Sequence, residues 1–566
     1  MNYGVYSNGT VLTDEDDKPL TNFAIRNPKM FYEAENEYSP GILRLSVVHR
    51  NETYQIDVDV QKSQLRQQIQ QKIPTCKVLN SRYRNAIEAY ILELPEAAGR
   101  PESPPLCFRQ NGFHKLTDGS YVFVAGDEVL GLPQHRERTI AADVARAHLA
   151  WDPSLTSSQA VRDLLVVLGR NMEQLIPLWG FTLMSSMRSL LNSLNVTTFP
   201  SFAAIGAQGF GKTTMCQRFS LLYDDMQHPG RRWAEVDARS TVASTVDLVC
   251  RYRDQVLLVD DLAKSVSANQ TRQREDLLAD VLRFASNETC RSKMNPAKQT
   301  QERYCTAGLA FTGEFPLDNP SDITRTIAVQ VDQQMQGGKQ QDRVLAATAF
   351  RWFILWMLPQ IDKTMEYMAT ALDNISGSNP RLEKNRVMLL WVLMKFLSFA
   401  QTTGAATEQE IDHFLPRVIS VCDAILDHQI EQIAQLKTAG SLSWYILDGF
   451  QRGIIQRVTL TALKELKKKE CLPEYYYVHL KKDDTFYATT KILYRYLTEQ
   501  TPVHPASLKA MNKQLIAEGV IHPRKEGRST TKKIHDRRYL ELRRAELMSA
   551  AGMDAKTEPK KLSSKR

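Results

Sequence analysis

Ala204-Ile-Gly-Ala-Gln-Gly-Phe-Gly-Lys-Thr-Thr214 decides the reading of this chain. It fits the spacing G-x-x-x-x-G-K-[ST], with Gly206, Gly211, Lys212 and Thr213 at the fixed positions. Glycines there let successive backbone N–H groups turn toward one anion. The candidate cradle is Gly206, Ala207, Gln208, Gly209, Phe210, Gly211, Lys212, Thr213 and Thr214. The pattern predicts that Lys212 reaches the β- and γ-phosphates of ATP and that Thr213 offers its hydroxyl to Mg²⁺. A helix opening near Lys212 adds the positive end of its dipole. Phe202 to Ile205 reads as a short strand and Met215 to Leu222 as a helix, which is the context such a loop needs. The competing reading is a surface loop that holds no nucleotide.

A metal needs a second element, and Gln255-Val-Leu-Leu-Val-Asp-Asp261 supplies one. A continuous apolar run that ends in acids reads as a buried parallel strand. Its last residues emerge at the edge where open α/β sheets bind ligands. Asp260 is then a candidate for Mg²⁺, as ligand or one shell out, and Asp261 for orienting and deprotonating an attacking water. A buried strand followed by a helix-capping Asp is the bland alternative.

The chain has 566 residues, 43% hydrophobic and 24% charged, enough for more than one core. Its net charge of +8 is concentrated at one end. Residues 524–566 hold 14 Lys/Arg against 6 Asp/Glu, an excess equal to that of the whole chain. A basic end points to a polyanion, most simply nucleic acid. For the last fifteen or so residues a solvated tail is the simpler reading. The eight cysteines are scattered and form no C-x-x-C pair, so a reducing, cytoplasmic setting is expected. The first residues lack a basic and apolar signal pattern. The apolar stretches 164–191 and 387–399 carry charges such as Arg170, Glu173, Arg188 and Lys395, and read as buried helices, not membrane spans.

Along the chain five segments are expected. Residues 1–150 form an α+β domain. Within it Ile42–Val48 and Thr53–Val60 read as paired strands, Ser63–Lys72 as a helix and Gly112–Gly126 as a hairpin turning at Asp118-Gly119. Residues 151–338 alternate strands (202–205, 233–237, 256–259, 308–312, 326–331) with helices, which predicts an α/β core with a parallel sheet between helices. It is led in by a long helical region over 158–195. Residues 339–470 read as helical, and Trp352, Phe353, Leu355, Trp356 and Leu358 as helix core. Residues 471–545 show a short β pair, helices at 489–499, 505–511 and 512–518, then a hairpin-like basic segment at 519–528. That order describes a winged helix, with Lys509, Lys513, Arg524, Lys525, Arg528, Lys532 and Lys533 as phosphate contacts. A protein-interaction module or a lid over the nucleotide is the alternative. Residues 546–566 read as a basic disordered tail.

With these landmarks in order, the chain resembles the AAA+ ATPases of bacterial mobile elements. These are the MCM-like and superfamily-3-like helicases and initiators of staphylococcal cassette elements and phage islands. The resemblance covers roughly residues 20 to 545. It rests on Gly112-Phe-His ahead of the core, the phosphate loop, Leu258-Val-Asp-Asp261, Phe284 to Lys293, Leu309-Ala-Phe-Thr-Gly-Glu314 and the C-terminal winged helix. It implies that Thr312 is the polar residue that helps hold the lytic water. It implies that Arg325 reaches the γ-phosphate of a neighbouring subunit, stabilising charge in the transition state; the residues alone equally allow a surface ion pair. A finger of that kind implies a homo-oligomeric ring, such as a hexamer. It also implies a pore hairpin over 291–298, where Arg291, Lys293 and Lys298 would follow a single-strand backbone; a plain exposed loop is the alternative. Two departures stand out: Asp261 replaces the family's usual Glu, and Ser286 to Cys290 replaces its Gly-rich phrasing. No sensor-2 arginine is assigned.

The function this implies is an ATP-dependent DNA helicase or origin-melting initiator in mobile-element replication. Single- and double-stranded DNA are its partners, with primase or polymerase as candidates for the N-terminal domain. A regulatory or defence-type nucleotide switch that assembles on a protein partner is the second reading, and an ATPase that loads a transposition enzyme is the third.

Overall fold

The computed structural model describes residues 4–62, 64–97, 101–194, 196, 198–230, 232–237, 241–262, 279–286, 291–294, 300–314, 317, 319–336, 341–375, 379–439, 441–465, 473–479, 485–501, 503–505, 507–522, 531–534 and 537–550. The chain divides into two compact units: Met1–Leu317 with Ser321–Asp427, and Asp318–Pro320 with His428–Arg566.

At the centre of the first unit lies a sheet of five strands: β1 (Ser201–Ile205), β2 (Glu235–Asp237), β3 (Val256–Leu262), β4 (Gly308–Gly313) and β5 (Thr326–Gln330). Their order is β2-β3-β4-β1-β5, and every neighbouring pair is parallel. The α/β reading therefore holds. All residues of β1 and β4 are buried, as strands covered on both faces must be.

The region expected as one long helical stretch is three helices: α1 (Ser157–Arg170), α2 (Met172–Ser186) and α3 (Arg188–Ser193). Thr156 and Gln159 form a reciprocal capping box at the start of α1. The breaks fall at Asn171 and Met187, both with non-helical backbone. Every residue of α2 except Glu173 is buried, and the helix lies on β4 and β5. At Gly308 a Cβ would sit 2.0 Å from Ser185 Oγ, so glycine permits that close approach. The phosphate-loop helix α4 (Lys212–Phe219) starts where expected and ends three residues early.

Helices α5 (Asp342–Met357) and α6 (Pro380–Thr402), with Ile361–Asp373 between them, share the core of the sheet. Phe353 and Leu358 are buried in it, while Trp352, Leu355 and Trp356 pack against it half-buried. Asp342–Asp373 is long and apolar enough to cross a membrane, and 56% of its apolar window is buried inside the protein.

The N-terminal residues build a second sheet in the same unit. Ala24–Glu33, Asn36–His49 and Glu52–Asp59 are antiparallel, and Leu106–Phe108 and Arg138–Ile140 continue it in parallel. Helices Leu65–Lys72 and Arg84–Ala97 contribute to its core. The expected hairpin is present, with Gly112–Lys115 paired to Tyr121–Ala125. One of its faces, Phe113 and Phe123, joins the core of the parallel sheet, with an edge contact of Phe123 with Phe350 at 5.9 Å. The other, Val122 and Val124, packs in a separate cluster with Leu106 and Phe108.

The second unit has a sheet ordered Gln456–Val458, Tyr476–His479, Thr485–Ala488, Arg537–Arg543, Thr531–Ile534, with helices Leu442–Gln451, Thr490–Gln500, Leu508–Ala517 and Arg544–Ala550 around its main core. Two expectations change here. The helices placed at 505–511 and 512–518 are one helix, because Ser507 Oγ accepts from Ala510 N at 3.1 Å and no breaker separates Met511 from Asn512. A hairpin pairs Thr531–Ile534 with Arg537–Arg543; of the segment expected as one, 519–528, residues 523–528 lie outside the described residues, while Gly519 (φ +76°) terminates the helix and the N–H groups of Val520 and Ile521 turn back to Leu515 O.

Candidate nucleotide site

The C-terminal ends of β1, β3 and β4 bring the predicted residues together. β1 runs into the loop at Gly206, where a Cβ would lie 2.0 Å from Val331 O, so only glycine fits. Ala207, Gln208 and Gly209 are exposed, and Phe210 packs against the core. Gly211 is the N-cap of α4 at φ +81°, a left-handed conformation that releases the following N–H groups toward the loop. Lys212 Nζ donates to Gly206 O at 2.7 Å and Ala207 O at 2.8 Å, which holds its ammonium over the loop. Thr214 is exposed on the first turn of α4.

Three residues from three elements meet at one carboxylate oxygen. Thr213 Oγ1 donates to Asp260 Oδ1 at 2.7 Å, and Thr312 Oγ1 donates to the same oxygen at 2.6 Å. The N–H of Asp261 in turn donates to Thr312 Oγ1 at 3.0 Å. This last bond depends on a bulge. The β3–β4 register shifts between Val259 and Leu262, and Asp261 takes φ +64°. A bulge of this kind redirects a side chain, and here it separates Asp260, bound inside the cluster, from the exposed Asp261. The donor set of a hydroxyl and a carboxylate is hard oxygen chemistry, which suits Mg²⁺. The second oxygen of Asp260, Oδ2, stands outside the hydroxyl bridge.

Not all predicted residues join this cluster. Arg325 precedes β5, and the pairing of Ser201 with Thr326 places it at the N-terminal edge of the sheet. Five residues of strand, about 16 Å, separate that edge from the loop. Its guanidinium donates to Ser321 O at 2.6 Å. Arg291 and Lys293 lie on a strand, Arg291–Met294, that pairs antiparallel with Thr300–Arg303. Lys298 is outside the described residues, as are Arg524, Lys525 and Arg528. Lys509 and Lys513 are exposed and four apart on Leu508–Ala517, hence on one helix face. Lys533 is exposed on Thr531–Ile534, and Lys532 lies over the Tyr487 ring at 5.0 Å.

Sequence reasoning missed two supports. Gln334 Nε2 donates to Gly209 O at 3.0 Å and fastens the phosphate loop to the segment after β5. Asn171, at the α1–α2 break, holds that segment through a bond from Gln336 N at 2.8 Å. The other is Asp254, buried just before β3. It accepts from Phe113 N at 3.0 Å, Ser189 N at 2.7 Å and Ser189 Oγ at 2.6 Å, tying the N-terminal hairpin to α3. Burial pushes its carboxyl above the usual aspartate range, opposed by Arg253 and these donors. A Cβ on Gly112 would lie 2.1 Å from Asp254 Oδ2, so this glycine leaves room for the carboxylate. Beside it Arg253 donates to Phe113 O at 2.6 Å and pairs with Glu35 at 3.2 Å. The hydrogen bond with His114 lowers the Glu35 carboxyl to about 2, against partial burial and with help from Arg253. The Gly112-Phe-His triplet was the available signal.

No protein-family model matches the chain, and no curated protein does. Among solved structures, one described as SCCmec type IV Cch, an active helicase, is similar in fold. Its TM-score is 0.56 at 12% identity, covering 97% of this chain and 99% of that one. The NrS-1 C-terminal region matches with a TM-score of 0.31 at 11% identity, over 91% of this chain and 96% of that one. An inhibitor-bound JCV helicase matches with a TM-score of 0.19 at 13% identity, over 42% and 73%. The chain thus shares, over nearly its whole length, the fold of the first of these.

Proposed function

We propose that the chain is an AAA+ ATPase that drives a DNA helicase or origin-melting initiator of a mobile element, working as a homo-oligomeric ring. The observation that carries this is the Thr213–Asp260–Thr312 cluster beside the phosphate loop. A hydroxyl from the loop helix, an acid from β3 and a hydroxyl from β4 share one oxygen. Similarity in fold to a protein described as an active helicase supports the choice of DNA.

In this reading Thr213 and Asp260 hold Mg²⁺, which when bound offsets phosphate charge. Lys212 exchanges its two loop carbonyls for phosphate oxygens. Asp261 orients and deprotonates the attacking water, and Thr312 fixes Asp260 and the Asp261 backbone relative to each other. The second unit serves as a winged helix, with Lys509 and Lys513 on its helix and Lys532 and Lys533 on its hairpin contacting phosphates. Arg291 and Lys293, on the paired strands after residue 290, follow the single strand.

The test is ATP hydrolysis with and without single-stranded DNA, together with strand displacement on a fork. The proposal expects hydrolysis that DNA stimulates and Lys212→Ala abolishes. Binding should weaken steeply with salt, since Lys/Arg–phosphate contacts release counterions. A second reading, a nucleotide switch assembling on a protein partner, is favoured by Asp261: it is shorter than glutamate and exposed. Slow hydrolysis, indifferent to DNA, with ATP-dependent assembly would select it.

A further inference from the structure

The tip of the phosphate loop has little of its own to hold it. Ala207, Gln208 and Gly209 are exposed, and a Cβ on Gly209 (φ +89°) would meet nothing within 4 Å. Glycine there leaves the peptide that follows free to turn over. One bond opposes this: Gln334 Nε2 donates to Gly209 O at 3.0 Å. Among the described residues neither Gln208 nor Gly209 makes another hydrogen bond.

Gln334 can hold the loop because its own backbone is held. It belongs to a strap of residues 331–336 that leaves β5 and is bound to the break between α1 and α2. At the start of the strap Val331 N donates to Ile205 O at 2.6 Å, and Val331 O lies close against Gly206. Further on, the buried Gln174 of α2 donates from Nε2 to Gln333 O at 3.1 Å. Asn171, at the break, clasps both backbone groups of Gln336: its Oδ1 accepts from Gln336 N at 2.8 Å and its Nδ2 donates to Gln336 O at 3.3 Å. Met335 packs against the core between them. The strap is fixed on both sides of Gln334, and only the Gln334 side chain crosses from it to the loop tip.

We infer that Gln334 is a positioning residue of the nucleotide site: by holding Gly209 O toward the strap, it keeps the Phe210 N–H turned into the loop, where it donates to a phosphate oxygen of the nucleoside triphosphate. This rests on the proposed nucleotide site and extends it. The peptide joining Gly209 to Phe210 is planar and trans, so its C=O and N–H point in opposite directions. With Gly209 O fixed on Gln334, the Phe210 N–H faces away from the strap. Without that bond the peptide turns over and sets a carbonyl oxygen against the anion, a dipole of the wrong sign. Affinity for the triphosphate then depends on the α1–α2 break, because Asn171 and Gln174 hold the strap that holds Gln334.

The experiment uses the full chain. Binding of ATP with Mg²⁺ by the wild type is read first: its absence removes the nucleotide reading itself, and this inference with it. Gln334→Met keeps the length of the side chain and drops the donor, and Gln334→Glu sets a carboxylate against Gly209 O. Both should melt like wild type, since Gln334 is exposed. Both should bind ATP more weakly, Gln334→Met by about tenfold and Gln334→Glu by more, with KM raised and kcat little changed. Amide hydrogen exchange reads the peptide directly: ATP should slow exchange at Phe210 in the wild type and much less in Gln334→Met. Asn171→Ala should show the same defect in weaker form and add little to Gln334→Met, because both act through one strap. The inference is overturned, with the nucleotide site left standing, by wild-type affinity in both Gln334 variants, by exchange at Phe210 that ATP does not slow, or by full additivity of Asn171→Ala with Gln334→Met.

Discussion

The two edges of the central sheet are built from the same strands and do opposite things with charge. At the C-terminal edge Lys212, Thr213, Asp260 and Thr312 are locked to one another by bonds of 2.6 to 2.8 Å or to the loop they serve. At the N-terminal edge Arg325 is half-buried with the charge of Arg381 opposing its own, and before β3 Asp254 is buried as a structural tie. A preorganised edge can bind a ligand within one chain. The difference teaches that one end of these strands is organised around hydroxyl–carboxylate bonds, while near the other a buried carboxylate ties segments of the fold together.

This contrast can be broken by substitution. Lys212→Ala, at the preorganised edge, should lower ATP hydrolysis by about 10⁴-fold while leaving the melting temperature near that of wild type. On the reading of Arg325 as a finger to a neighbouring copy, Arg325→Ala should lose hydrolysis by about 10³-fold but keep ATP affinity. A matched loss of affinity would erase the distinction between the edges. Thr312→Val removes the hydroxyl that bonds Asp260 and receives Asp261 N–H, and should slow turnover by about 10²-fold with little change in KM; steady-state kinetics separates the two.

Two further effects fall on stability. Asp254→Ala orphans the N–H groups of Phe113 and Ser189 and should destabilise the first unit by about 3 kcal/mol, read by denaturant unfolding. Unchanged stability there would show that the hairpin is not tied through Asp254. The smallest effect concerns Glu35. Its carboxyl titrates at about 2 in the fold against 4.5 ordinarily. It therefore stabilises above pH 4.5, and that contribution is lost as pH falls toward 2. Glu35→Gln should flatten the acid limb of a melting-temperature profile across that window, modestly because the side chain is half-exposed.

The loop and strands were legible because their signals are local. Spacing within Ala204–Thr214 sets the loop, and unbroken apolar runs mark strands buried on both faces. The joining of Thr312 to Asp260 was within reach only through family resemblance, since 52 residues separate them. Asp254 was not legible from its own surroundings: its partner Phe113 is 141 residues away, and nothing in Arg253-Asp254 differs from an ordinary surface pair, so only the Gly112-Phe-His triplet marked the tie. Arg325 was legible by its position before β5, while its neighbour Arg381 was not, following a proline at a helix start like many others. In the second unit Pro505 reads as a helix opening, but Ser507 holds the cap; likewise Gly519 reads as the start of a hairpin-like segment and instead ends a helix.

The claim beneath all of this is that Gly206 to Thr214, with Asp260, seats a triphosphate and its magnesium. Calorimetric titration of the folded full chain with ATP and Mg²⁺ tests it most directly. Saturable heat that disappears on removing Mg²⁺ or in Lys212→Ala is the expected result. A flat titration of wild-type protein that still melts cooperatively would contradict it.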